Sequence, residues 1–199
     1  MAQHQDENLS EKTDEALAVL AVTDQRAFGV LVDRYQPKLL RFIRTISNVR
    51  YEEAEDILQE AFIKSYRNLN SFDETQTFSA WIYRIVRNET ISHYRKRSVR
   101  PEGHLEQGEE EMLDRFAHSM NIAAEAEEAE EALTIRKALD ELDPKYRDVL
   151  ILQFLEEKDY KEISDILHIP MGTVATRINR AKERFKVIAK KHGLHYSYE

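Results

Sequence analysis

None of the 199 residues is cysteine, which excludes disulfides and thiolate metal sites. Glycine and proline are scarce, five and four residues, while alanine, leucine and glutamate are common. That balance disfavours turn-rich all-β architectures and favours an all-α fold. No apolar run approaches the roughly 18 residues that a membrane span needs. The N-terminal stretch MAQHQDENLSEKTDE is polar and acidic, unlike a secretory signal, so a cytoplasmic protein without membrane insertion is expected. There is no P-loop, no glycine-rich dinucleotide turn and no cysteine nucleophile. His192 and His195 stand near the C-terminus without a third ligand, and the other histidines are scattered. The expectation is therefore no catalytic residue, no metal and no cofactor.

What is present suits packed cores: 42% of residues are hydrophobic and 33% charged. The net charge of −8 is unevenly spread. Residues 101–132 hold eleven acids and one arginine, whereas the basic residues gather in 84–100 and 177–191. An acidic connector between two basic modules does not argue against nucleic-acid binding.

The most informative stretch is DYKEISDILHIPMGTVATRINRAKERFK, 159–186. Asp159 is a good N-cap, with Glu162 three residues on as a capping box requires. Ile163, Ile166 and Leu167 follow at helical spacing, and Pro170 stops the helix near His168. A second helix starts around Met171 to Thr173. Val174, Ile178 and Phe185 mark its apolar face, and Ala175, Thr176, Asn179, Arg180, Lys182 and Lys186 its polar one. Gly172 is expected to allow close helix approach. The pattern is a helix-turn-helix whose Arg and Asn can read base edges in the major groove, with Lys and Arg on phosphates. From Ile166 to His192 there are seven Lys or Arg and one acid. The competing reading is a basic amphipathic pair with a solvated face.

Upstream, Asp14 to Val22 predicts a short helix, with Thr23-Asp24 capping the next. Phe28, Leu31, Tyr35, Leu39, Phe42 and Ile46 then predict a long amphipathic helix that Pro37 should kink or break. In the helix expected over 51–69, Ala54, Ile57, Leu58, Ala61, Phe62, Ser65 and Leu69 face the core. A second stripe of Glu52, Asp56, Gln59, Glu60 and Ile63 fits either a basic partner or solvent. A loop, 70–77, precedes a helix over 78–97. There Trp81, Ile82, Ile85 and Ile91 can pack, and Tyr83, Arg84, Arg87, Asn88, Tyr94, Arg95, Lys96 and Arg97 form a basic, aromatic surface suited to single-stranded DNA. The alternative puts Trp81 and Tyr83 in the core. Residues 98–132 read as a linker, helical near 123–132. Helices follow at 133–142 and 144–155, the latter with Tyr146, Val149, Leu150, Leu152 and Phe154 largely buried.

With both modules in view, the chain resembles an extracytoplasmic-function (ECF) sigma factor, the small two-domain class of bacterial RNA polymerase sigma subunits. The resemblance rests on YEEAEDILQEAFIKSYRNLNSF (51–72), FSAWIYRIVRNETISHYRKR (78–97) and LDELDPKYRDVLILQFLEEKDYKEISDILHIPMGTVATRINRAKERF (139–185). It implies an all-α chain of two small helical domains: a disordered N-terminus at 1–13, region 2 at 14–97, an acidic linker at 98–132, region 4 at 133–192 and a tail at 193–199. It also implies partners: core RNA polymerase, through the clamp of its largest subunit and the flap of the second-largest, promoter DNA as duplex and as non-template single strand, and an anti-sigma factor. Asp56, Gln59, Glu60 and Ile63 would dock on the clamp. Ser71, Phe72 and Asp73 lie in the loop that captures a flipped minus-ten base, and Trp81, Tyr83, Arg84, Arg87, Asn88, Arg95 and Arg97 would serve the same element. Thr173, Ala175, Thr176, Arg177, Asn179, Arg180 and Lys182 would serve the minus-thirty-five element, Arg177 as a phosphate contact.

Three positions depart from the family pattern. Ala175 replaces a frequent Lys or Arg, His168 stands at a turn position where Gly or Asn is frequent, and Glu89 puts an acid beside the expected DNA face. The rival function is a stand-alone dimeric helix-turn-helix regulator, which needs a self-complementary face and a palindromic site.

Overall fold

The computed structural model describes residues 9–47, 49–99 and 125–193, with side chains described outside 97–99 and 125–131. The expectations for 1–8, 100–124 and 194–199 lie outside these residues. Among the described residues every regular element is helical. No helix among them is long and apolar enough to cross a membrane. Packing divides the chain into two compact units, 1–101 with 158–169, and 102–157 with 170–199. The helix at 160–167 thus packs with the N-terminal unit, whereas its sequence reads as part of the C-terminal domain.

The first unit starts with α1, Asp14–Leu20, whose N-cap Thr13 accepts from the Ala16 amide. α2 spans Gln25–Ile46 behind an Asp24 cap. The Arg26 side chain and amide both bond the Asp24 carboxylate and hold its pKa low. Pro37 neither breaks nor ends α2. Pro37 and Asp33, whose carbonyl loses its usual donor there, are exposed, so water can serve that carbonyl. On the opposite face Leu31, Tyr35, Leu39 and Phe42 are buried on both sides of the proline and hold the helix in one piece. Tyr35 donates to Asp14 at 2.6 Å, and Arg34 pairs with the same carboxylate at 2.6 Å. Burial first, and the Asp14 bond next, raise the Tyr35 pKa and keep it a donor.

α3, Tyr51–Arg67, buries Ala54, Ile57, Leu58, Ala61 and Ser65, the spacing expected. Its Glu53 accepts from the Arg50 amide. A single tight turn, Leu69–Ser71, leads to the loop before α4, Phe78–Val99. Two side chains organise the start of α4: Thr77 accepts from the Ala80 amide, and Glu15 of α1 accepts from the Phe78 amide at 3.0 Å. Glu89, expected beside a DNA face, is instead 8% exposed and pairs with Lys64 of α3. It turns inward because a cation on the neighbouring helix compensates its burial.

Lys158 and α7, Tyr160–Leu167, complete this unit. Asp159 and Glu162 form the capping box. Lys158 donates to Ser79 at 2.7 Å and sits 4.5 Å from the centre of the Tyr83 ring. Thr77 donates to Glu162 at 3.3 Å. His168 ends α7 at φ 56°, ψ 48°, so the turn takes the left-handed conformation at a residue with a side chain.

In the second unit α5, Glu125–Asp140, α6, Pro144–Leu150, and α8, Met171–Lys191, pack around Leu139, Leu142, Tyr146, Val149, Val174, Ile178 and Ala181. Asp143 caps α6 through the Lys145 amide, and Pro144 is its first residue. After Leu150 the backbone widens into one π turn, Ile151–Leu155, with Glu156 N–H bonded to Ile151 C=O. That turn corrects one expectation. Ile151 and Leu152 stay buried, but Phe154 is 53% exposed, because the wider turn breaks the 3.6-residue spacing from which its burial was inferred. Gly172 is a second correction: a Cβ there would meet nothing within 4 Å, so no helix approaches closely.

Phe42, fully buried against Tyr83 at 5.0 Å, tests the first core. Phe42→Ala is expected to cost about 3–5 kcal/mol in urea unfolding, and a loss under about 1 kcal/mol would remove the ring from the core. Lys64→Met leaves Glu89 buried without its cation and is expected to lower Tm. Glu89→Gln in the same chain should restore most of the loss, and no restoration would mean that the pair does not join α3 to α4.

Candidate functional site

Three surfaces are candidates, each on a helix whose opposite face is anchored. On α3, Asp56, Gln59, Glu60 and Ile63 are all exposed and recur at i, i+3, i+4 and i+7. Ile63 is 45% exposed, so this stripe carries negative charge next to an apolar side chain. It lies opposite Ile57, Leu58 and Ala61, which fix the helix in the core. The sequence stripe is therefore a physical one.

The second surface runs from the loop before α4 along that helix. Ser71 and Asp73 are exposed, and Phe72 is half-buried against Phe78 and Trp81, with centroids 5.8 and 5.6 Å away. The Asp73 carboxylate accepts from the Thr75 amide at 2.9 Å, which holds its pKa below the usual range and leaves it an acceptor. Tyr83 departs from the expected exposed surface at 1% exposure, while Trp81, read from its spacing as able to pack and from the family resemblance as serving the minus-ten element, is 3% exposed. Trp81 stacks edge-on with Phe72 and packs on Phe78, and Tyr83 lies between Phe42 and the Lys158 ammonium. The first half of α4 is covered on several sides, and no base can reach either ring in this arrangement. Val86 and Thr90, unremarked in the sequence, are also buried.

Beyond Tyr83 the helix emerges. Arg84 and Arg87 are half-buried, and Asn88, Arg95 and Lys96 are exposed. Helical spacing puts Arg84, Arg87, Asn88 and Arg95 on one stripe. Tyr94 borders it at 66% exposure and is the aromatic left free to stack. The hydrophobic spacing pointed equally to Tyr83, and only burial separates the two. The backbone at Arg97 continues α4, and its side chain lies outside the described residues.

The third surface is the polar face of α8. Val174 and Ile178 are fully buried and orient the helix, so Thr176, Asn179, Arg180 and Lys182 are exposed while Thr173, Ala175 and Arg177 are half-buried. The Thr176 hydroxyl donates to Gly172 C=O at 2.8 Å, which leaves its oxygen as an acceptor. Lys182 rests 5.0 Å from the Phe154 ring centre. Thr173, Thr176, Arg177 and Arg180 share one open hollow with Lys145, Tyr146 and Gly172. The sequence reading missed Lys145, because α6 precedes the helix-turn-helix and only folding brings it beside α8. Among the described residues no cluster of three or more His, Cys, Asp or Glu could hold a metal ion.

Comparison with known proteins gives these surfaces a common setting. Sigma-70 region 2 matches residues 31–100, and Sigma-70, region 4, matches 132–185. The chain is 40% identical to the ECF RNA polymerase sigma factor SigW of Bacillus subtilis (strain 168) over 170 residues, covering 82% of this chain and 89% of that one. It is 33% identical to the RNA polymerase sigma-H factor of Pseudomonas aeruginosa over 188 residues, covering 92% and 93%. It is 31% identical to the ECF RNA polymerase sigma-E factor of Escherichia coli (strain K12) over 169 residues, covering 80% and 85%. The fold resembles CnrH, solved in complex with the cytosolic domain of CnrY, at TM-score 0.67 and 24% identity over 90% of this chain and 99% of that one. It also resembles the sigma factor RpoE of Bartonella quintana, solved with the anti-sigma factor NepR, at TM-score 0.59 and 23% identity over 82% and 96%. Two sigma regions matched in order, with close relatives spanning nearly the whole length, lead to one conclusion: the chain belongs to the extracytoplasmic-function family of sigma-70 RNA polymerase sigma factors.

Proposed function

We propose that the chain initiates transcription by binding core RNA polymerase, directing it to two-part promoters and favouring their melted state through binding energy alone, without catalytic chemistry. The reading rests on the order of the two matched regions, region 2 before region 4. The proposed domains are region 2 at 14–97, a linker at 98–132 and region 4 at 133–192. A dimeric stand-alone regulator has no use for the exposed acidic stripe of α3.

Each surface then takes one role. Asp56, Gln59, Glu60 and Ile63 dock on a basic, partly apolar element of the polymerase clamp. Opposite charge steers the encounter, and Ile63 adds area removed from water. Ser71, Phe72 and Asp73 border the place where an unstacked minus-ten base is held. The ionised Asp73 selects for a base edge that offers an amino group. Arg84, Arg87, Asn88 and Arg95 track the non-template strand, and Tyr94 provides the stacking ring in place of Trp81 and Tyr83. Asn179 and Arg180 read base edges of the duplex minus-thirty-five element, Thr176 accepts from a base amino group, and Arg177 and Lys182 meet phosphates. CnrH was solved with the cytosolic domain of CnrY and RpoE with the anti-sigma factor NepR, and we extend the second relationship to this chain as an anti-sigma partner.

Run-off transcription with purified core polymerase on a genomic fragment pool tests the whole reading. New transcripts sharing two upstream motifs are expected. A dimer binding a palindrome without polymerase would overturn it. Asp56→Lys with Glu60→Lys is expected to abolish co-purification with core polymerase at unchanged helical content, and retained co-purification would reject the docking face. Arg180→Ala is expected to weaken use of the preferred promoter by about 1–3 kcal/mol and to relax specificity at one base pair. Equal losses on every promoter would reassign Arg180 to a phosphate.

A further inference from the structure

A hollow of about 350 Å³ opens between the start of α6 and the first turns of α8, lined by Lys145, Tyr146, Gly172, Thr173, Thr176, Arg177 and Arg180. Three of these side chains are cationic, and they come from two helices. Tyr146, 6% exposed, forms the floor. Its ring holds the Lys145 ammonium at 5.1 Å and the Arg184 guanidinium at 4.6 Å from the ring centre. Lys145 is thus restrained beside the recognition helix although it lies some thirty residues before it in the chain. The hollow is open along the Gly172 edge, where a Cβ would meet nothing within 4 Å. No side chain caps the start of α8 and competes for that space.

Asp143 attends the cluster. The Asp143 carboxylate lies 3.0 Å from the Lys145 ammonium and also accepts from the Lys145 amide at 3.0 Å. Those bonds hold the Asp143 pKa below its usual range, so the carboxylate is charged at neutral pH. It is exposed, as is Lys145, so solvent weakens the pair and a charged non-bridging phosphate oxygen can displace it. The room, the two-sided array of cations and the aromatic floor suit one phosphodiester of a duplex whose major groove receives Asn179 and Arg180.

We propose that Lys145 is a phosphate-positioning residue of the minus-thirty-five complex, closing a clamp on one sugar–phosphate strand with Arg177, and that Asp143 attenuates it. The proposal rests on the assignment of α8 to duplex DNA and adds a contact from outside the helix-turn-helix. Such a contact fixes register on the duplex and carries no sequence information.

The test uses the full chain and short duplex DNA of mixed sequence, titrated through a salt series, beside the promoter duplex recovered by run-off transcription. Lys145→Ala is expected to reduce the slope of log affinity against log salt by about 0.9 and to weaken both duplexes by about fivefold at physiological salt. Lys145→Arg should keep the slope. Asp143→Asn, which still caps α6, should tighten binding of both duplexes, and the gain should shrink when Lys145 is alanine. An unchanged slope for Lys145→Ala overturns the clamp, and a loss confined to the promoter duplex overturns the phosphate assignment in favour of base reading. Arg180→Ala separates the two levels. If it and the wild-type chain bind the promoter duplex equally, the assignment of α8 fails and the clamp fails with it.

Discussion

Burial of the first half of α4 is the constraint on which the N-terminal unit depends. Phe78, Trp81, Ile82, Tyr83 and Val86 are all nearly inaccessible, so this helix has no free side over its first turns. α1 supplies Glu15 to its first amide, α2 supplies Tyr35 and Phe42, and Lys158 covers Tyr83. A helix held this firmly can carry an exposed continuation, where Asn88, Tyr94 and Arg95 are exposed. The same packing fixes the azimuth of α3, and with it the direction in which Asp56 and Glu60 face. Exposed charges in the right order are useful only because the opposite faces cannot rotate.

The second unit uses the same logic at smaller scale. Val174 and Ile178 are fully buried, and they point the polar face of α8 outward. Polar side chains on that face are already committed in part. The Thr176 proton is bonded to Gly172 C=O, and Lys182 lies over Phe154. These local bonds reduce the rotamer freedom lost on binding and narrow what each group can recognise. Phe154 reaches Lys182 because the π turn carries it out of the core, so one irregular turn of backbone adjusts the chemistry of a neighbouring helix.

Much of this was legible in the residues. The caps at Asp24 and Asp159, the core spacing of α2 and α3, and the end of α7 near His168 follow from side-chain chemistry acting within one or two turns, whereas the left-handed conformation of His168 is seen only in the structure. The acidic stripe and the polar face of α8 could be read because each faces away from a regular apolar stripe. Spacing alone does not place Trp81 and Tyr83, because a Tyr or Trp at helical spacing serves a core and a stacking surface equally well. That Pro37 leaves α2 unbroken could not be read from the sequence, since its cost depends on what anchors the opposite face, and Glu89 was misjudged since its neutraliser, Lys64, belongs to another helix.

By itself the sequence determined the helical class, the order of segments, their capped ends and the two regions that identify the family. These depend on interactions between residues a few positions apart. Only the tertiary structure decided how many sides of α4 are covered, that α7 packs with the N-terminal unit, and that Lys145 stands beside Arg177 and Arg180. Those outcomes depend on contacts between segments far apart in the chain. Helical periodicity marks which face of a segment is apolar, but not what that face, or the opposite one, will meet.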